Sequence, residues 1–255
     1  MPTMHFTFDD IAYTLHDLCQ TRYASVFDQP FLGALREIHR QCGAVFTLFC
    51  FNRMGSIPDY DIARLPDCYR EELQAETAWL RWGFHAQDDT TKYAADTGAG
   101  EAIARCNAAL ARFAGQESID PILRLGFCSG SLENMLAVHR HGVRGLYGAD
   151  DARLNYYLNQ TQNDELLRTG RYDDIDHGLI FLRSLPRLDK RTAQDVIAAL
   201  ETWPQPLAAV FMHEYSFLAE PEAYSTYLMA IAQWGSMHGY DHGFHSDVLF
   251  GGKQA

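Results

Sequence analysis

Two adjacent carboxylates, Asp9 and Asp10, close the strand-like run Met4–Asp10 (MHFTFDD). Like charges side by side repel, so such a pair needs a partner, either a metal ion or a shared proton. Two histidines stand at comparable places: His85 ends a short apolar step, and His213 ends Ala208–Met212 (AAVFM). His85 and Asp89 are four residues apart. On a helical turn that spacing puts an imidazole and a carboxylate on one face, able to grip one ion, with Asp88 as the rival to Asp89. Adding Asp10 gives three N/O ligands and an open position for water, the arrangement a hydrolytic metal needs. The plainer alternatives are an N-cap with a first-turn acid for Asp9–Asp10, and satisfied half-buried rings for the histidines, His213 bonded to Glu214 or to backbone.

The elements that must position these residues alternate. Strand candidates are Met4–Asp10, Ala44–Phe51, the step delivering Phe84 and His85, Leu123–Phe127, Val143–Tyr147, Leu179–Leu182 and Ala208–Met212. Between them run helical patterns. FLGALREIHRQC carries Phe31, Leu35, Ile38 and Cys42 at helical spacing, and a second helix is expected through Tyr69–Leu80, ending at Trp82-Gly83. EAIARCNAALARFA, LENMLAVHRH, Ala193–Leu200 and a last segment with Tyr224, Leu228 and Ile231 complete the set. Residues 155–176 read as a long loop with a helical turn, and the tail from Trp234 as a loop with one short strand. Strands alternating with helices mark βαβ units and parallel sheet. No glycine-rich phosphate turn follows the first strand, and the reactive side chains sit at strand C-termini that a closed barrel gathers at one mouth. The expectation is one α/β domain over residues 1–255, a distorted (β/α) barrel of seven strands.

A chain of 255 residues with 47% hydrophobic and 21% charged residues has material for one large core. The net charge of -12 weighs against nucleic acid and anionic membranes as partners. The six cysteines contain no CxxC pair, so a cysteine zinc site is not expected. No apolar run reaches the roughly 20 residues of a membrane span, and MPTMHFTFDD lacks the character of a signal peptide. These features lead to an expected cytoplasmic location with reduced thiols.

Phe6–Asp10 (FTFDD) resembles the TFDD motif of NodB-type polysaccharide deacetylases, carbohydrate esterases with a distorted seven-stranded (β/α) barrel. The resemblance implies Asp9 as general base and Asp10 as metal ligand. The family's His-x-x-x-His motif is met by His85-Ala-Gln-Asp-Asp89, with Asp89 replacing the second histidine. Its late Leu-His motif resembles Met212-His213, implying His213 as the acid that protonates the leaving amine. The third motif, an arginine and a proline after the fourth strand, is not found in Leu125–Ser131 (LGFCSGS), so Asp9 is expected to lack its usual support. The implied activity is hydrolysis of an N-acetyl or other acyl group on a sugar or small amide. The implied cofactor is a divalent metal, zinc first, with manganese, iron or magnesium opened by the harder Asp89 donor. A barrel that has lost catalysis and serves as a glycan-binding accessory is the rival.

Other candidates are secondary. His238, His242, His245 and Asp247 have ligand-like spacing, but Gly239 and Gly243 break a regular helix between them. Cys128 has no neighbouring histidine to activate it. Trp82, Tyr147, Tyr156 and Tyr157 could line a sugar platform or sit in the core.

Overall fold

The computed structural model describes residues 1–251. Among the described residues nine strands form: β1 Thr3–Ile11, β2 Phe46–Phe51, β3 Leu80–Ala86, β4 Ile122–Leu123, β5 Gly145–Tyr147, β6 Arg171–Asp174, β7 Leu179–Leu182, β8 Leu207–His213 and β9 Asp241–His242. They lie in two sheets, β3-β2-β1-β8 with β9 beside β1, and β4-β5-β7-β6. All pairings between these strands are parallel except β6 on β7. The sheets meet at two seams. One is the parallel bridge Trp82–Ile119 with the Asp120 N–H donating to the Trp82 carbonyl at 2.8 Å. The other is the Leu185 N–H donating to the Ala209 carbonyl at 3.0 Å. The strands β1, β2, β3, β4, β5, β7 and β8 therefore follow one another around a ring, each overlapping an expected strand, β4 at Leu123 alone.

The side chains of β1 alternate by the two-residue period of a strand, but with the apolar face outward. Phe8 packs edge-on against Phe31 at 5.1 Å and Phe217 at 5.8 Å, on the helices Pro30–Cys42 and Glu214–Ala219. His5, Thr7 and Asp9 face the interior, where they meet Thr47, Tyr147 and Arg124. β2 is buried along its whole length, as the apolar run AVFTLFCF requires of a strand covered on both faces.

Several boundaries differ from the sequence expectation. The helix through Tyr69–Leu80 is only Arg70–Ala75, because Trp79 and Leu80 turn to core packing and Leu80 opens β3. β4 stops at Leu123; Gly126–Cys128 is a tight turn with Phe127 and Cys128 left-handed. Residues 155–176 hold the helix Gln160–Thr169, capped by Asn159, and the antiparallel β6. The polar sequence of β6 (RYDD) hides a strand whose side chains are mostly not buried. The tail forms the helices Pro221–Met237 and His245–Phe250, the latter closing the floor of the ring. No helix among the described residues is long and apolar enough to cross a membrane.

That floor is a buried polar network. His5 bonds Tyr147 Oη and Thr47 Oγ1, both at 2.9 Å, and Tyr147 Oη meets His245 Nδ1 at 3.0 Å. Ser246 donates to Asp120 at 3.1 Å, and Arg81 forks onto Asp247 at 2.8 and 2.9 Å. Burial pushes His245 down to about 4 from 6.5, and it lifts Asp120 from 3.8 to about 6. Burial also lowers His5, reinforced by the charges of His245, Arg81 and Arg124. Between pH 6.5 and 4 the unfolded chain binds a proton at His245 that the fold refuses, so the histidine's contribution to stability is lost as pH falls. Asp120 acts oppositely, since the fold takes its proton at about 6 and the unfolded chain only near 3.8. With His5 added, the histidines outweigh the acid. Within this floor network the balance is a loss of stability toward acid, read by urea unfolding of the wild type and its variants from pH 7 to 4. His245→Gln should reduce that loss by on the order of 3 kcal/mol, and Asp120→Asn should steepen it. An unchanged slope in both variants contradicts this assignment.

Candidate active site

Consecutive strand residues point to opposite faces, so Asp9 and Asp10 could not share a cavity on a regular strand. β1 solves this with a local break. The β1–β2 register shifts between Phe8 and Ile11, and Asp10 adopts φ 62°. A left-handed conformation is costly for a residue other than glycine and concentrates at functional positions. Both carboxylates thereby line one cavity of about 250 Å³ at the C-terminal ends of the strands, together with His85, Asp89, Arg124 and His213.

The segment that follows is fixed from β8. Glu214, fully buried, accepts the N–H groups of Ala12, Tyr13 and Thr14 at 2.8, 2.9 and 2.7 Å. It caps the helix Tyr13–Gln20 from a distance, a carboxylate answering the open donors of a helix start. Asp9 and Asp10 therefore do not serve as that cap, and Glu214 is not the partner of His213.

Asp9 meets Arg124, whose Nη1 donates at 2.8 Å. The guanidinium is almost wholly buried, also donates to Thr7 Oγ1 at 3.0 Å and Ser184 Oγ at 2.8 Å, and stacks over Phe211 at 4.1 Å. Asp9 thus has an arginine partner that the sequence expectation denied it. Arg124 directly follows the two-residue β4, one position before the stretch Leu125–Ser131 in which it was sought. Pro121 precedes that strand instead of following it.

The Arg124 main chain holds the other arm. Its carbonyl lies 2.5 Å from His85 Nδ1, so that nitrogen carries the hydrogen. His85 Nε2 then faces Asp10 Oδ1 at 3.2 Å. Two lone pairs confront each other there unless a proton or a cation lies between them. Burial alone would raise Asp10, but the hydrogen bond and charge of His85, with His213 and Arg187 beyond it, hold it below the ordinary carboxylate value. Burial likewise opposes the charged His85, and the bond to Asp10 with the charges of Asp9 and Asp10 outweighs it, a net upward shift. His213 faces Asp9 in register across β1–β8, approaches Asp10 at 3.9 Å through Nε2, and is turned by Asp189 at 3.3 Å from Nδ1. Arg187 braces Asp189 at 3.2 Å.

Asp10 and His85 fit a divalent cation: a carboxylate oxygen and an imidazole nitrogen converge, with the imidazole oriented by a second bond. The trio does not assemble. Asp89 lines the cavity, but its Oδ1 accepts the Gly55 N–H at 3.0 Å, while Asp88 is held by Thr90 and Thr91. Among the described residues no group of three metal-binding side chains stands ready. The expected helical turn at 85–89 is not formed, since β3 runs to Ala86 and bends follow.

The secondary candidates disperse. His238 bonds the Trp234 carbonyl at 2.7 Å, His242 bonds Ser236 at 3.0 Å, and His245 sits in the floor. Trp82 is core against Phe113, the Tyr147 and Tyr156 hydroxyls are bonded inside the ring, and Tyr157 bonds Asp174. Burial pushes the Cys128 thiol up to about 12, away from reactivity.

No protein-family model matches the sequence, and no curated protein does. Solved structures do. A Mycobacterium smegmatis protein assigned to the polysaccharide deacetylases superposes with TM-score 0.57 at 13% identity over 96% of this chain and 88% of that one. A family 4 acetyl xylan esterase from Clostridium thermocellum, bound to cobalt, gives 0.53 at 14% over 94% and 86%. The Bc1960 peptidoglycan N-acetylglucosamine deacetylase, bound to a hydroxamate-type inhibitor, gives 0.50 at 10% over 93% and 83%. At such identities the likeness is one of fold: this chain is an α/β protein with the fold of the family 4 polysaccharide deacetylases.

The buried Asp9–Arg124 pair makes a direct prediction. Removing one partner strands the other charge, so Asp9→Asn and Arg124→Met should each cost about 3–5 kcal/mol in urea unfolding. The double variant should cost clearly less than the sum, and strict additivity would show that the two do not act as a pair.

Proposed function

We propose that this chain is a single-domain hydrolase that removes an N-acetyl or other acyl group from a carbohydrate or related small amide. The observation that carries the proposal is the convergence of Asp9 with Arg124, Asp10 with His85, and His213 with Asp189 on one cavity. Asp10 and His85 would hold a divalent metal, zinc first to be tested, then manganese, iron and magnesium. When bound, such an ion lowers the pKa of water and polarises a carbonyl. Asp9, oriented by Arg124, offers a carboxylate to take a proton from the attacking water. His213, aimed by Asp189, returns a proton to the departing nitrogen or oxygen. Water thus adds across the acyl bond, giving a carboxylic acid and a free amine or alcohol.

One observation favours the rival, a glycan-binding accessory protein: with Asp89 engaged by Gly55, two side chains remain to hold the metal. Acetate release from acetylated chito- and xylo-oligosaccharides, measured with each metal, separates the two readings. Under the hydrolase reading, Asp9→Asn and His213→Asn should lower kcat by roughly 10²–10⁴. Asp10→Ala and His85→Ala should lower metal occupancy in elemental analysis, while Asp89→Asn should lower it far less. Absence of metal from the wild type, or occupancy indifferent to Asp10 and His85, refutes the metal site. Full occupancy without release of acid from any substrate favours the accessory reading.

A further inference from the structure

A second cavity, of about 690 Å³, lies at the end of the ring opposite the mouth. It opens beside the N-terminal ends of β3, β4 and β5, between the floor helix His245–Phe250 and the helix Ala99–Ala114. The mouth holds about 250 Å³, so the floor cavity is the larger, and it falls within the roughly 300–1,000 Å³ of small-molecule pockets. The two cavities share no lining residue.

Two arginines meet the floor cavity in matching arrangements. The Arg81 guanidinium lies over the Phe244 ring at 3.8 Å, and that of Arg144 over the Phe250 ring at 3.9 Å. The two rings bracket the floor helix, one just before it and one at its last residue. Stacking holds a guanidinium flat and leaves its edge, a fork of N–H donors, to meet an oxyanion. For Arg81 the chain supplies that anion. Asp247 accepts the fork at 2.8 and 2.9 Å, and Ser246 Oγ accepts a further bond at 3.0 Å. For Arg144 no carboxylate among the described residues forms an ion pair. Its main chain is nevertheless fixed: the N–H donates to the Pro121 carbonyl at 2.8 Å, and the carbonyl accepts the Ile180 N–H at 3.1 Å.

The acids that line this cavity already have donors. Asp247 has Arg81, Asp120 has Ser246 at 3.1 Å and the Ile122 N–H at 2.8 Å, and Glu117 has Gln74 at 2.5 Å. The groups without a side-chain partner among the described residues are donors, the Arg144 fork and the exposed His141 ring. A negatively charged acceptor therefore complements the cavity, and a cation does not. Ile103, Ile119, Pro121 and Val143 give it an apolar wall. An anion carried on an apolar body uses that wall, and a bare inorganic anion does not.

We propose that the floor cavity binds a small carboxylic acid with an apolar body, its carboxylate on the Arg144 fork and its body against the apolar wall. No residue of the mouth takes part, so the proposal is independent of the hydrolase reading. Phenylacetate, its neutral counterpart phenylacetamide and inorganic phosphate are titrated into the full chain, depleted of metal, and followed by NMR. The amides of residues 103–107, 116–120 and 141–144 report the floor, and those of 9, 10, 85 and 213 report the mouth. The expected result is saturable binding of phenylacetate with shifts confined to the floor. Affinity should fall about tenfold for phenylacetamide, and about tenfold for phenylacetate in Arg144→Met. Arg144→Lys keeps the charge but loses the fork, and should also bind more weakly than the wild type. Arg144 is exposed, so urea unfolding of Arg144→Met should match the wild type, which separates lost binding from lost fold. Equal affinity for the acid and the amide, undiminished affinity in Arg144→Met, shifts at the mouth alone, or no saturable binding overturns the proposal. Phosphate binding as tight as that of phenylacetate and equally dependent on Arg144 overturns the apolar body.

Discussion

Arg124 is the constraint around which the interior is arranged. A guanidinium is expensive to bury, and the cost is offset by placing its donors and a facing charge; Arg124 has partners at both terminal nitrogens and none at Nε. Here Asp9 supplies the charge and Thr7 and Ser184 supply neutral acceptors, on β1 and just beyond β7. The flat cation lies over Phe211 of β8 and near Tyr147 of β5. Four strands of the ring are thus tied to one side chain, and the ring cannot shift register without stranding it. The same residue orients His85 through its carbonyl. One arginine therefore fixes both arms of the site, Asp9 by side chain and His85 by main chain.

The second device is the deliberate irregularity at the end of β1. A regular strand would send Asp10 outward into the Phe8 layer, where an unpaired carboxylate is untenable. The left-handed Asp10 turns the charge toward His85, and Glu214 secures the chain just beyond the bend through three N–H groups. Strain at Asp10 and the buried acid at Glu214 are two parts of one arrangement, because the capped helix start holds the bend in place. Burial raises Glu214, and its N–H partners oppose that rise. A carboxylate there is tolerated only because the backbone solvates it.

How much of this was legible follows from which signals are local. The seven ring strands could be read because apolar runs such as AVFTLFCF and AAVFM differ plainly from the helical spacing of FLGALREIHRQC. The pairing of Asp10 with His85 could be read because both end strands. Arg124 could not, because β4 is only two residues long and its apolar neighbours Ile122 and Leu123 merge with Leu125. A strand drawn through Phe127 buries the arginine mid-strand, where its role disappears. Asp89 misled for a different reason: four-residue spacing implies a shared face only on a helix, and the chain leaves β3 in bends. Glu214 offered no signal, since its partners lie some 200 residues away.

The polar interior also explains why the two ends of the ring differ. At the floor, His5, Thr47, Tyr147, Asp120 and His245 satisfy one another, and the helix His245–Phe250 seals them from water. At the mouth the same inward positions carry Asp9, His85 and His213, which line the cavity. A closed network rigidifies a core, whereas an incompletely satisfied one is costly unless a ligand completes it. The close approach of His85 Nε2 to Asp10 Oδ1 is a contact that a shared proton or a bound cation completes. The polar groups below close on one another while those above line an open cavity, and that asymmetry makes the mouth the end of the barrel where chemistry is to be expected.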